Sequence, residues 1–245
     1  MNIVIIGTGY VGLVTGVGLA SLGNNINFLD LDENKIQNLS NKKITFYEPG
    51  LEEYFNDDET FSRMFFSSDY ASIEWQNIDI VFVCVQTPNN LETNSVDTNF
   101  LESAIKEINN VNNDDLVITI KSTIPPYEIE KVCEKVGMDS SKLTFNPEFL
   151  REGTAVEDFF KPDRIVLGGT NNEKLNKLKE LYTDFDCEII TTDTISSQLI
   201  KYLANTYLPL RLSFVNEATR LIDYSGGNLD DVLKGVGLDN RIGQH

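Results

Sequence analysis

The chain has 245 residues, 41% apolar, 10% aromatic and 24% charged, a make-up that suits one large globular domain or somewhat more and excludes disordered, collagenous and coiled-coil classes. With 20 Lys and Arg against 38 Asp and Glu the formal charge is −18, which argues against a nucleic-acid backbone or an anionic membrane surface as partner. Three scattered cysteines, Cys84, Cys133 and Cys187, form neither a disulfide framework nor a C-x-x-C metal site. The start Met1-Asn2-Ile3 lacks a basic signal region, and no apolar run approaches the ~18 residues of a membrane span. The expectation is a cytoplasmic protein with no metal.

In chain order, strand-length apolar runs alternate with helical patterns: Ile3 to Ile6, a helix from Val11 to Leu22, then Ile26 to Leu29, Ile78 to Val85, Leu116 to Ile120, Leu143 to Phe145, Ile165 to Leu167 and Glu188 to Ile190. Runs apolar along their whole length suit parallel strands covered on both faces, so residues 1–193 read as a doubly wound, mostly parallel α/β domain. Asn109 to Asn113 reads as a loop. From Thr194 to Ser225, ended by Gly226-Gly227, the pattern becomes one long helix opening an all-α part over residues 194–245. Pro209 is expected to kink that helix. Its stripe of Leu199, Leu203, Leu210, Phe214, Ala218 and Leu221 is expected to leave the first domain and pack on a second copy, making a homodimer.

The first strand ends in Gly7-Thr8-Gly9-Tyr10-Val11-Gly12, a G-x-G-x-x-G that runs straight into a helix. Gly7 allows the tight turn, Gly9 lets a pyrophosphate approach, Gly12 allows close helix packing, and the helix start offers N–H donors to the anion. The second strand delivers Asp30 about 20 residues later, where a carboxylate accepts ribose hydroxyls and repels a 2′-phosphate. A Rossmann-type NAD site follows, with NAD favoured over NADP. Lys35 either reaches the adenosine phosphates or is a solvated helix lysine. Three more segments fall where later strands end, the edge at which open α/β sheets bind ligands: Gln86-Thr87-Pro88, Lys121 to Pro125, and Phe145 to Glu152.

These motifs, with Lys201-x-x-Ala204-Asn205, resemble the UDP-glucose/GDP-mannose dehydrogenase family over essentially the whole chain, to Arg241-Ile242-Gly243. The resemblance is greatest to members that oxidise UDP-glucose, with GDP-mannose and UDP-N-acetylmannosamine as alternatives. It implies a four-electron oxidation of a sugar C6 alcohol to a carboxylate with two NAD, through an aldehyde and a cysteine thioester. By position, Glu148 matches the family's acid/base carboxylate, working with Thr123 and a water, and Lys201 the lysine that stabilises the oxyanion. Glu148, Phe149, Leu150, Arg151 and Glu152 would grip the nucleotide sugar mainly through backbone, Asn205 would hydrogen-bond it, and Arg241 would reach it from the neighbouring subunit. Thr87, Thr123 and Glu152 would touch the nicotinamide half of NAD. Independently, Lys201 and Asn205 share one helix face, a turn apart.

The family's nucleophile lies in a Gly-Gly-x-Cys segment after the Arg-Ile-Gly motif, and the sequence ends at His245. Cys84, Cys133 and Cys187 all read as structural thiols, and His245 carries no expected part in hydride transfer. The expectation is therefore a chain that binds NAD without turnover, stopping before the nucleophile segment and a C-terminal UDP-binding domain. The competing class is a non-catalytic NAD-binding and dimerising module.

Overall fold

The computed structural model describes residues 1–90, 92 and 95–243, so His245 lies outside the described residues. The strands are β1 (Asn2–Ile6), β2 (Asn25–Leu29), β3 (Met64–Ser67), β4 (Ile80–Val83), β5 (Asn89–Asn90), β6 (Ser95–Val96), β7 (Val117–Ile120), β8 (Leu143–Phe145), β9 (Arg164–Gly168) and β10 (Glu188–Thr192). The α-helices are α1 (Tyr10–Ser21), α2 (Glu33–Ser40), α3 (Leu51–Asn56), α4 (Asp58–Ser62), α5 (Asn99–Asn109), α6 (Glu128–Val136), α7 (Ala155–Phe160), α8 (Asn172–Glu180), α9 (Thr194–Ser225) and α10 (Leu229–Gly237). The chain divides into two compact units, Met1–Lys201 and Tyr202–His245, with the boundary inside α9.

The first unit is built on an eight-stranded sheet in the order β10-β9-β8-β7-β4-β1-β2-β3. From β3 to β8 every neighbouring pair is parallel; β9 meets β8 antiparallel, and β10 follows β9 in parallel. The sheet is thus Rossmann-type and mostly parallel, as the uninterrupted apolar runs imply. Strand alternation sends Ile3, Ile5, Phe28 and Phe82 into one core with α1, and Val4, Ile6, Val81 and Val83 into a second core with α5 and α6. The registers Ile3↔Ile80 and Ile5↔Phe82 keep like faces together. Helix α1 is buried almost all round, and lies close enough that a Cβ on Gly16 or Gly18 would overlap the rings of Phe28 and Phe159. Asp32, Asn171 and Asn228 cap α2, α8 and α10 by accepting first-turn N–H groups.

Two departures from the sequence reading have local causes. The run Ile78 to Val85 yields only Ile80–Val83 as strand, because Val85 leaves the ladder and its carbonyl accepts Ser122 Oγ at 2.7 Å. β3 carries no clear alternation, and Phe65 on it is exposed; its place is earned by pairing Phe28 with Phe66, whose rings stack at 5.2 Å. Helix α9 runs from Thr194 to Ser225 with Pro209 inside it, as the sequence pattern predicts. In the second unit the apolar stripe of α9 is exposed, Leu203 to 65% and Phe214 to 67%.

Candidate functional site

The glycine loop sits where the winding of the sheet reverses, between β1 and β4. Gly7 has φ +95°, and its amide donates to the Leu29 carbonyl at 2.8 Å. A Cβ there would stand 2.7 Å from the Cys84 carbonyl oxygen, so the position admits only glycine on two counts. A Cβ on Gly12 would overlap the Gly7 carbonyl. Gly9 differs: its backbone is extended, and a Cβ would project into open space. No side chain caps α1 at Gly9, and no acidic residue lies in its first turn. The N–H groups at Tyr10 and Val11 therefore start a helix whose positive end faces an open approach, the arrangement a pyrophosphate needs.

Asp30 follows β2 at the same edge. Its Oδ2 accepts Thr8 N–H and Thr8 Oγ1, each at 2.8 Å, and Lys35 Nζ at 3.0 Å, while Oδ1 accepts only Asp32 N–H at 3.1 Å. Burial pushes this carboxyl up, but the donors from Thr8, Asp32 and Lys35 outweigh it and hold the group below the usual carboxylate range. With Oδ2 filled, Oδ1 retains the lone-pair capacity for a ribose hydroxyl. Lys35 is drawn to Asp30, with its side chain 27% exposed. These features together fit a pyridine dinucleotide.

Beyond β4 and β7 the same edge carries Thr87, whose Oγ1 donates to the Thr123 carbonyl at 2.7 Å, tying the two loops together. Beyond β8 lies a second polar network. Lys201, on α9, is buried, and its Nζ donates to Glu148 Oε1 at 2.7 Å; Glu148 Oε2 accepts Leu150 N–H at 2.7 Å. The Phe149 ring has the Arg164 guanidinium 3.8 Å and Lys201 Nζ 5.3 Å from its centroid. Helix α9 reaches this position because Ser197 packs against Gly168 of β9, where any Cβ would overlap it.

Beneath Glu148, Lys121 Nζ donates to Asn146 Oδ1 at 2.9 Å, and the Tyr182 hydroxyl donates to the same oxygen at 2.7 Å. Asn146 Nδ2 donates to the Val166 carbonyl at 3.1 Å, so this side chain roots the segment in three strands' worth of structure. Burial pushes the Lys121 ammonium down and the Tyr182 phenol up. The sequence singled out the segments that hold Lys121 and Asn146 but not their connection to Tyr182 and Val166, because these partners lie far apart in the chain.

The rest of the 148–155 segment is stitched by two further carboxylates. Asp158 accepts Arg151 N–H at 2.8 Å and clasps its guanidinium at 2.5 and 3.1 Å. Glu48 accepts Gly153 N–H at 2.9 Å and Ala155 N–H at 2.7 Å. Glu48 went unnoticed in the sequence, lost among the acids at Glu52, Glu53, Asp57, Asp58 and Glu59. Glu152 is exposed, and Leu150 packs on the first core. Asn205 and Arg241 belong to the second unit; Asn205 is exposed on α9, and Arg241 binds Asp239 at 2.6 and 3.0 Å.

Among the described residues there is no cluster of three or more His, Cys, Asp or Glu able to hold a metal, and no helix long and apolar enough to cross a membrane. Burial pushes the Cys84 thiol up to about 12 and the Cys133 thiol up to about 11, and burial with the Asp186 charge raises Cys187.

Known proteins are similar to this chain in sequence and fold. The chain is 40% identical over 250 residues to a UDP-glucose 6-dehydrogenase of Rickettsia felis, covering all of this chain and 55% of that protein. A solved UDP-glucose dehydrogenase from Pyrobaculum islandicum superimposes with a TM-score of 0.89 at 33% identity, covering 100% of this chain and 58% of the other. The GDP-mannose dehydrogenase of Pseudomonas aeruginosa gives 0.87 at 26%, covering 98% and 57%. The chain spans about half the length of the curated relatives it matches. The profile of the family's NAD binding domain covers residues 1–186, the stretch that holds the glycine loop, Asp30 and the Glu148 segment, and the profile of its central domain covers 195–245, so the chain belongs to the UDP-glucose/GDP-mannose dehydrogenase family.

Proposed function

We propose that the chain is the nucleotide-binding half of a cytoplasmic UDP-glucose 6-dehydrogenase, which converts the C6 alcohol of UDP-glucose to a carboxylate with two NAD. The observation that carries the reading is the buried Glu148–Lys201 pair, set at the same sheet edge as an uncapped phosphate loop and three strand spacings from it, about 14 Å. The GDP-mannose enzyme shares the fold almost equally, so fold does not choose the sugar; the higher identities, 40% and 33% against 26%, favour UDP-glucose.

In this reading Asp30 takes the adenosine ribose, the first turn of α1 takes the pyrophosphate, and Thr87, Thr123 and Glu152 border the nicotinamide. Bound NAD supplies the hydride acceptor. Glu148, aimed by Leu150 N–H and Lys201, takes the proton of the substrate hydroxyl and later works with Thr123 and a water. The Lys201 ammonium neutralises the oxyanion as it forms, in a site that excludes water and so strengthens the interaction. Phe149 to Glu152 hold the nucleotide sugar by the backbone groups the carboxylates leave free, and Arg241 is supplied by a second copy. The exposed stripe of α9 in the second unit is the surface through which two copies pair.

Burial disfavours the thiolate at all three cysteines and leaves the thioester step without a nucleophile among them, so the 245-residue chain is expected to bind NADH in preference to NADPH yet to sustain no NADH formation from UDP-glucose and NAD. Fluorescence titration tests the first statement, and tighter binding of NADPH refutes it. A steady rise at 340 nm from the purified chain refutes the second.

A further inference from the structure

Glu48 belongs to no motif, yet it is only 4% exposed, and its two oxygens anchor amides 105 and 107 residues away, at Gly153 and Ala155. Those amides close the segment that opens at Glu148 and start α7. On the other side of Glu48 lies Tyr10, the first residue of α1, whose ring packs on Phe46 at 5.7 Å. The Tyr10 hydroxyl is shut off from solvent and lies against the Glu48 carboxylate, close enough to be drawn to it but without the distance and angle of a fully formed hydrogen bond. Burial, and then the Glu48 charge, push this phenol up, so it holds its proton throughout the physiological range. A small movement of α1 toward Glu48 would complete the bond that this buried donor lacks.

We infer that Tyr10 and Glu48 couple the two ligand loops: a pyridine dinucleotide seated on the first turn of α1 brings the Tyr10 O–H onto Glu48 and tightens the anchorage of the Glu148 segment. The inference rests on the NAD-binding reading above. Tyr10 is here a positioning residue, acting on residues 148–155 through Glu48. Thermodynamic reciprocity adds that whatever factor NADH contributes to ordering the segment, loss of the coupling removes the same factor from NADH affinity.

Hydrogen exchange of the 245-residue chain, with and without saturating NADH, tests this. In the native sequence NADH slows exchange across 148–155 by about fivefold or more, the lower end of ordinary coupling energies. Tyr10→Phe deletes only the hydroxyl: exchange without NADH is unchanged, the slowing by NADH disappears, and NADH binds about fivefold more weakly. Glu48→Gln instead speeds exchange at Gly153 and Ala155 without any ligand, as loss of an anchor must. NADH that binds without slowing 148–155, or slows it equally in Tyr10→Phe, overturns the coupling and leaves the dinucleotide reading standing. A chain that binds no NADH overturns that reading, and the coupling with it.

Discussion

Removal of one partner from the Glu148–Lys201 pair probes the centre of the site. Lys201→Met keeps most of the aliphatic stem against Phe149 and deletes the ammonium, leaving the Glu148 side chain, 15% exposed, with Leu150 N–H as its remaining donor. At 2.7 Å the gross attraction is about 6 kcal/mol with an effective dielectric constant near 20. Much of that only offsets desolvation, and stranding one member of a buried pair costs about 3–5 kcal/mol. Because Glu148 keeps a backbone donor and some access to water, about 2–4 kcal/mol is expected. The single tryptophan, Trp75, lies in the first unit against Tyr70 and reports its unfolding in urea. A slope of about 2 kcal/mol/M converts the loss to a midpoint lower by about 1–2 M. Adding Glu148→Gln should recover most of the loss, since removing both charges removes the stranded ion. A cost for Lys201→Met below about 0.5 kcal/mol, the range of surface pairs, would refute the claim that the pair is buried and mutually dependent.

Three further outcomes follow from the same geometry. Gly7→Ala should lose about 2–3 kcal/mol in urea and at least tenfold in NADH affinity, because φ is +95° and the new Cβ meets the Cys84 carbonyl; an unaffected titration would count against the loop geometry. The Asp30 carboxyl is held below its unfolded value, so its contribution to stability is complete above about pH 4–5 and is lost as pH falls through the lower folded value. Asp30→Asn should therefore flatten the decline of the urea midpoint between about pH 5 and 3, and an unchanged slope would contradict the network drawn around Oδ2. Light scattering should give a dimer mass for the native chain at micromolar concentration and a monomer for Phe214→Glu, a charge placed in the exposed stripe; a native monomer, or a Phe214→Glu dimer, would remove α9 as the pairing surface.

Much of the first unit was legible because its signals are local. A wholly apolar strand running into G-x-G-x-x-G states its own requirements, a positive φ at Gly7 and clearance at Gly12, and Asp30 follows at the length of one helix and one strand. β3 was not legible, since it is held by its pairing with β2 more than by an alternation of its own, nor was the antiparallel turn of β9, since periodicity records that a strand exists and not its direction.

The amino-acid sequence by itself determined the class of fold, the phosphate loop and the acid at the end of β2, because these depend on patterns within single strands, helices and βαβ units. Only the tertiary structure decided what each polar group touches. Lys35 went to Asp30 and Arg151 to Asp158, Lys201 found Glu148 across 53 residues, and Glu48 anchored amides 105 and 107 residues away. The physical reason is one of range: a backbone turn is satisfied by its neighbours in sequence, whereas a buried charge takes the nearest donor in space, and chain spacing does not specify that donor.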